Sequence, residues 1–300
     1  MGTLFVVATP IGNLEDISAR ALRTLHEVSL IAAEDTRHSK RLLSHYRIET
    51  PTISYHQHNQ RARRDRLLNA LASGDVALIT DAGTPGISDP GANLVSAALA
   101  AGYSVSPIPG PSALAAAASA SGLVDGPFVF LGFLPRESSK RRSLVVRTAA
   151  TGFPFIIFES PHRIRATLNE LRGVVGDRVA VALRELTKVH EEVLTGSLLS
   201  IENGFAENLP RGEIVLVIGG SEDEAATGVD VTDLVRNLRQ GGLSASQAAK
   251  EAAVMTGLPR SEMYALAREY NGESVRLKRE FPPADKNALQ NTLRDQECPD

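Results

Sequence analysis

Apolar positions along the chain follow two recurring patterns. Short runs of β-forming residues stand at Leu4–Ala8, Val28–Ala33, Asp75–Thr80, Ser104–Ile108, Phe128–Leu131, Phe155–Phe158, Val179–Leu183 and Ile214–Ile218. Runs of this length read as strands buried on both faces. Between several of them apolar residues recur at helical spacing, as at Ile17, Ala21, Leu22 and Leu25, and again at Ile164, Leu168, Leu171 and Val175. Strands alternating with helices predict an α/β fold whose sheets are parallel or mixed and carry helices on their faces.

Breaks in the pattern divide the chain. An Ala-rich helix ends at Ser121-Gly122, so residues 1–121 form a first α/β lobe and residues 122–220 a second. The polar, small-residue stretch Gly219–Gly228 reads as a linker. After it the pattern is purely helical: Thr232–Arg239, a helix opened by an S-x-x-Q capping box at Ser244 and Gln247, and Arg260–Tyr270. Residues 229–270 therefore read as a helix-turn-helix-like domain. The polar tail 271–300, with Pro282-Pro283, reads as poorly ordered.

Composition changes the picture only by exclusion. A single cysteine, Cys298, rules out an intramolecular disulfide and a cysteine-ligated zinc site, and it fits a cytoplasmic protein. The opening MGTLFVVATPIGN has no basic leader, and no run approaches the ~18 apolar residues of a membrane span, so no membrane partner is expected. The net charge of −3 gives no ground for a nucleic-acid partner, which must be argued from local patches.

Three loops carry the candidate chemistry, each at the carboxyl end of a strand, where open α/β sheets bind ligands. Thr9-Pro10-Ile11-Gly12-Asn13 follows the first strand, and taken alone it is a tight turn. Asp81–Gly91 packs three glycines, two prolines and two aspartates behind an apolar strand. Such a loop exposes backbone polar groups, and a carboxylate there suits ribose hydroxyls or a cationic ligand. Pro109-Gly110-Pro111-Ser112-Ala113 leads into a helix that Ser112 is placed to cap.

In order with their neighbours, these loops resemble the tetrapyrrole-methylase superfamily. The likeness is strongest to its bacterial branch of small-subunit (16S) ribosomal RNA ribose 2′-O-methyltransferases. It runs from Gly2 to about Gly220 through VATPIGNLEDIS, AAEDTRHSKRLL, YHQHN, TDAGTPGISDPG, PGPSA, GFLPR, FESPHR, RELTKVHEE and RGEIVLVIGG, and the helical tail resembles the domain appended in that branch. The resemblance implies a class III methyltransferase fold, with S-adenosylmethionine in the cleft between two α/β lobes. It also implies methyl transfer to the ribose 2′-hydroxyl of a decoding-centre cytidine, and a homodimer. Carried over by motif, cofactor contacts fall at Pro10, Asp81, Gly83, Ile87, Ser88, Ser112, Ala113 and Phe158. The wider superfamily has Gly-Asp-Pro where this chain has Gly83-Thr84-Pro85, which moves the carboxylate to Asp81 or Asp89.

The reaction requires no metal. It needs an aligned acceptor oxygen and gains from a base that removes the hydroxyl proton. Asp35, Arg37 and Lys188, at strand ends, are the candidates for the acceptor side. His56 and His58 are alternatives as base. Basic clusters at Arg37–Arg41, Arg61–Arg66 and Arg136–Arg142 suit phosphates of small-subunit RNA or the assembled 30S subunit. Of these, Arg136, Lys140, Arg141 and Arg142 are expected on a loop and are the RNA-contact candidates. Two other functions share parts of this pattern: a small-molecule corrin methylase of the same fold, and a non-catalytic ribosome-assembly factor.

Overall fold

The computed structural model describes residues 2–207, 210–221, 231–256 and 258–269. The first lobe alternates strands and helices: β1 (Thr3–Val7), α1 (Ala19–Glu27), β2 (Leu30–Ala33), α2 (Thr36–His45), β3 (Thr52–Ser54), α3 (Gln60–Ser73), β4 (Val76–Ile79), α4 (Ala92–Ala100), β5 (Ser104–Ile108) and α5 (Ala113–Ser121). The second continues with β6 (Val129–Phe133), α6 (Ser138–Ala149), β7 (Phe155–Glu159), α7 (Ile164–Val175), β8 (Val179–Arg184), β9 (Glu192–Ser197), α8 (Leu198–Glu207) and β10 (Ile214–Ile218). Three helices follow, α9 (Val231–Gln240), α10 (Ala245–Thr256) and α11 (Arg260–Glu269). The expected linker lies largely, and the tail from Asn271 wholly, outside the described residues.

The first sheet has the order β3-β2-β4-β1-β5 and is parallel throughout. Its strands alternate between two apolar layers. Val7, Ile31 and Ile79 face α1 and α2 through Ala21, Leu25 and Leu43. Leu4, Ala32 and Leu78 face α3 and α4 through Leu67, Leu71 and Leu94. Burial on both faces explains why these strands read as unbroken apolar runs. All five strands end on the same edge, where the three candidate loops begin.

The second sheet has the order β6-β7-β10-β8-β9, with only the β6–β7 pair parallel. Helix α5, which closes the first lobe, packs on it: Ala117 is buried with Ile156, Val181, Leu183, Val215 and Val217. Two strands escape the apolar pattern. β3 has only three residues, and β9 (EVLTGS) exposes much of its length as the terminal strand of its sheet.

The chain separates into two compact units, Met1–Leu134 with Phe153–Gly220, and Pro135–Gly152 with the chain from Ser221. Both sheets lie in the first. In the second, α6 joins α9, α10 and α11, which bury Leu234, Val235 and Leu238, Ala248, Ala249 and Ala252, and Met263 and Ala267. The capping box is formed: the Ser244 N–H donates to Gln247 Oε1 at 3.0 Å, and the Gln247 N–H donates to Ser244 Oγ at 3.3 Å. Arg136–Arg142 is not the expected loop, because Lys140, Arg141 and Arg142 belong to α6. Val145, Val146 and Thr148 provide its buried face, which the nearby Pro135, Ser138 and Ser139 obscure in the sequence.

Candidate active site

The three loops of the first lobe are fastened to one another. Thr9 and Gly83 form an isolated antiparallel bridge, with the Thr9 N–H donating to Gly83 O at 2.9 Å and the Gly83 N–H to Thr9 O at 3.0 Å. The Thr9 hydroxyl donates to Thr80 O at 3.2 Å. Gly83 adopts φ 78°, a left-handed conformation suited to glycine. The Thr84 hydroxyl then donates to Pro111 O at 3.3 Å, linking the second loop to the third. Ser112 caps α5, accepting from the Ala115 N–H at 3.4 Å, as its place in the sequence predicts.

The second lobe completes the walls. Phe158 on β7 stands edge-on to Phe130 at 5.0 Å and to Phe133 at 5.7 Å, and Ala113 packs in the same apolar cluster. Ser88, itself at φ 63°, presses against Gly132 of β6: a Cβ added there would lie 2.5 Å from Ser88 Oγ. Pro10 is half-buried beside this assembly, and Ile87 is exposed. Residues expected at the cofactor thus come together from four strand ends.

The two aspartates of the second loop have different surroundings. Asp81 turns toward the end of β2, where its Oδ1 accepts from the Asp35 N–H at 3.1 Å and lies 3.6 Å from His38 Nδ1. Asp89 is hydrogen-bonded by the Thr80 side chain and feels the charges of Glu34, Asp81 and Glu213. Burial, then the repulsion of Glu34, pushes its carboxyl up to about 7. Glu34 is also raised, chiefly by burial. Sequence reasoning offered Asp89 only as an alternative to Asp81 and did not single out Glu213; both acquire their neighbours through the tertiary fold.

The acceptor-side candidates fall in two places. Asp35 is the N-cap of α2, accepting from the Arg37 N–H at 2.8 Å and pairing with Arg37 Nη2 at 2.9 Å. The Arg37 side-chain hydrogen bond holds the Asp35 carboxyl down at about 2. Lys188 lies on the turn after β8, with Nζ 2.8 Å from Glu185 Oε1 and 3.2 Å from Glu213 Oε2. Burial works against its charge, but the two carboxylates outweigh it and hold the ammonium above its ordinary pKa. Glu185 and Thr187, at φ 51° and 66°, adopt left-handed backbone that non-glycine residues seldom take. This turn is seated against the first loop: a Cβ on Gly12 would fall 2.4 Å from Lys188 Cγ and 3.0 Å from Leu186 O.

The remaining polar candidates have structural work. Glu159, nearly inaccessible, accepts from the Thr167 hydroxyl at 2.7 Å and from the Ser160 N–H at 2.8 Å. Asn59 ties the turn after β3, accepting from the His56 N–H at 2.9 Å. On α6, Lys140 Nζ pairs with Glu137 at 2.7 Å, and Arg141 Nη1 donates to Pro135 O at 3.1 Å and Arg136 O at 3.0 Å. Arg142 is half-buried, with its Nε enclosed, while Arg136 is exposed.

Two five-stranded sheets, with glycine-rich strand-end loops closing on an aromatic wall, define a two-lobed α/β methylase. Residues 3–202 match the family Tetrapyrrole (Corrin/Porphyrin) Methylases, and residues 225–269 match the RsmI C-terminal HTH domain. The chain is 46% identical over 278 residues to the Ribosomal RNA small subunit methyltransferase I of Synechocystis sp., covering 91% of this chain and 100% of that one. It is 45% identical over 280 residues to the protein of the same name from Pseudomonas aeruginosa, covering 91% and 99%. Among solved structures, uroporphyrin-III-C-methyltransferase from Thermus thermophilus shares the fold, with a TM-score of 0.51 and 21% identity over 73% of this chain and 94% of that one. The chain belongs to the ribosomal RNA small subunit methyltransferase I family, within the tetrapyrrole methylases.

Proposed function

We propose that the protein transfers a methyl group from S-adenosylmethionine to the ribose 2′-hydroxyl of a decoding-centre cytidine in small-subunit ribosomal RNA, and that it works as a cytoplasmic homodimer. The observation that carries the reading is the Thr9–Gly83 bridge with its Thr84–Pro111 extension, which joins three strand-end loops into one surface facing Phe158. The name of the full-length relatives supports RNA as the acceptor.

The residues present fit the donor. Bare backbone at Gly83, carboxylates at Asp81 and Asp89, and the Phe130–Phe158 wall offer sites for hydroxyls, for positive charge and for a flat ring. S-adenosylmethionine supplies an already activated methyl group when bound. Pro10, Asp81, Gly83, Ile87, Ser88, Ser112, Ala113 and Phe158 are assigned to holding it.

On the acceptor side the roles divide by charge state. Asp35, with its carboxyl near 2, is a poor proton acceptor and instead orients the exposed Arg37 guanidinium toward a phosphate. Lys188 stays protonated and serves as a fixed positive charge. Asp89, near 7 and lying among groups from both lobes, is the carboxyl matched to taking up the hydroxyl proton. Exposed Arg136, just before α6, and Lys140 on it are the residues assigned to RNA, whereas Arg141 donates to nearby backbone carbonyls and Arg142 is half-buried.

The test is to incubate the protein with labelled S-adenosylmethionine and, separately, small ribosomal subunits, naked small-subunit RNA or a corrin precursor. Label mapped to a ribose of the RNA in either RNA form is the expected result. Transfer to neither RNA form refutes the proposal, and transfer to the corrin alone favours the small-molecule reading.

A further inference from the structure

We propose that the exposed cations on α2 and the first turns of α3 form a basic rim that receives the phosphates of the RNA acceptor. The inference rests on the RNA reading above. β2 and β3 are parallel neighbours, with Ala33 opposite Ser54, so the chain leaves both at the same sheet edge. Helix α2 begins at Thr36 and α3 at Gln60, each a short step beyond its strand. The two helices pack on opposite faces of the sheet, α2 through Leu43 and α3 through Leu67 and Leu71. Their cations therefore straddle the β3 edge beside the candidate active site, and the 3.6 Å approach of His38 to Asp81 ties α2 directly to the strand-end loops.

The charge on α2 and on the start of α3 is one-sided. Some cations elsewhere are paired with carboxylates, as in Lys140–Glu137, Arg147–Glu251 and Arg172–Glu202. The α2 sequence TRHSKRLLSH has no acidic residue, and α3 sets Asp65 alone against Arg61, Arg63, Arg64 and Arg66. Arg37 and Arg64 pair with Asp35 and Asp65. Lys40, Arg41, Arg61 and Arg66 are exposed and make no ion pair among the described residues. Like charges at i,i+3 and i,i+4, as in Arg37, Lys40 and Arg41 or Arg61 and Arg64, repel one another and weaken a helix. Asp35 and Asp65 offset part of that repulsion through Arg37 and Arg64, whereas Lys40, Arg41, Arg61 and Arg66 have no ion pair among the described residues, and a row of phosphates would neutralise them. Phosphate contacts position a nucleic acid without reading its sequence, which suits a rim around a site that selects one ribose.

The experiment uses the full chain with Lys40→Glu/Arg41→Glu, Arg61→Glu/Arg66→Glu, and all four substitutions together. None of these residues belongs to the cofactor or acceptor machinery, and glutamate is compatible with both helices. Affinity for small-subunit RNA and for small subunits is measured across salt concentration, with donor binding followed by calorimetry. Each pair is expected to weaken RNA binding about tenfold or more at low salt. The fourfold variant should flatten the slope of log K against log salt by about three, since each single-strand phosphate contributes ~0.7. Donor affinity and the rate at saturating RNA should stay within about twofold. Unchanged RNA affinity and salt slope in the fourfold variant, with wild type still methylating RNA, overturns the rim and leaves the function standing. Equal loss of donor and RNA binding also overturns it. A wild type that methylates no RNA refutes the parent reading.

Discussion

Asp89→Asn should make the protein more stable above neutrality and less active. In the folded chain the Asp89 carboxyl sits at about 7 against an ordinary 3.8, because burial and the neighbouring Glu34, Asp81 and Glu213 disfavour its charge. A carboxyl raised on folding binds its proton more tightly in the native state. Its stabilising contribution is therefore complete below about pH 4 and is lost as pH rises toward 7 and beyond. The interval between the two values, at 1.36 kcal/mol per unit, bounds the loss at about 4 kcal/mol. Asp89 keeps part of its surface in water, and solvent screening reduces the expected effect to about 1–2 kcal/mol. Asparagine is nearly isosteric, stays neutral and can still accept from Thr80. Urea unfolding at pH 5 and pH 8.5 is the assay. The variant should exceed wild type only slightly at pH 5, where about a third of the loss has accrued, and by about 1–2 kcal/mol at pH 8.5, and lose most of the methyl transfer that wild type gains above pH 7. A variant less stable than wild type at pH 8.5 would refute the electrostatic reasoning. Full activity with an unchanged pH profile would remove Asp89 as the proton acceptor.

Two further substitutions probe the frame. Gly12→Ala drives a methyl into the Lys188 stem and Leu186 O, so the first loop must shift; overpacking of this kind costs about 1–3 kcal/mol, and donor affinity measured by calorimetry should fall about tenfold or more. Thr167→Val keeps the shape but withdraws the hydroxyl that donates to buried Glu159, and the chemical unfolding midpoint should report a loss of about 1–3 kcal/mol with donor affinity unchanged.

Most of the architecture is written in burial on two faces. β4 and β10 are buried throughout, and their apolar runs mark them out. β9 is missed for the same reason: a terminal strand whose side chains meet solvent carries no such run. α6 is obscured by a start rich in proline, serine and charge, while its apolar face lies in its second half. The three strand-end loops are legible because backbone exposure needs small residues in a fixed order. Their fastening at Thr9–Gly83 is not, because main-chain hydrogen bonds leave little trace in residue identity. That Asp81, not Asp89, turns to the Asp35 N–H is set by the path of the loop. Likewise, Lys188 meets Glu213 because β10 pairs antiparallel with β8, bringing Ile214 opposite Arg184.

A net charge of −3 hides two local fields of opposite sign. Glu34, Asp81, Asp89 and Glu213 lie around the strand ends, where they favour a cationic donor, while the unmatched cations of α2 and α3 stand along the adjoining edge. Screening at physiological ionic strength confines each field to ~8 Å, so the two need not cancel where each partner lands. Under the proposed function, phosphates meet the basic rim while the uncharged ribose approaches the carboxylates. Asp89 eases that approach further. With its carboxyl raised to about 7 it carries less negative charge near neutral pH than an ordinary aspartate, which lowers the repulsion toward an incoming polyanion. Composition sums these charges and loses the signal; the topology separates them, because parallel strands carry the acidic loops and the starts of the basic helices to one edge.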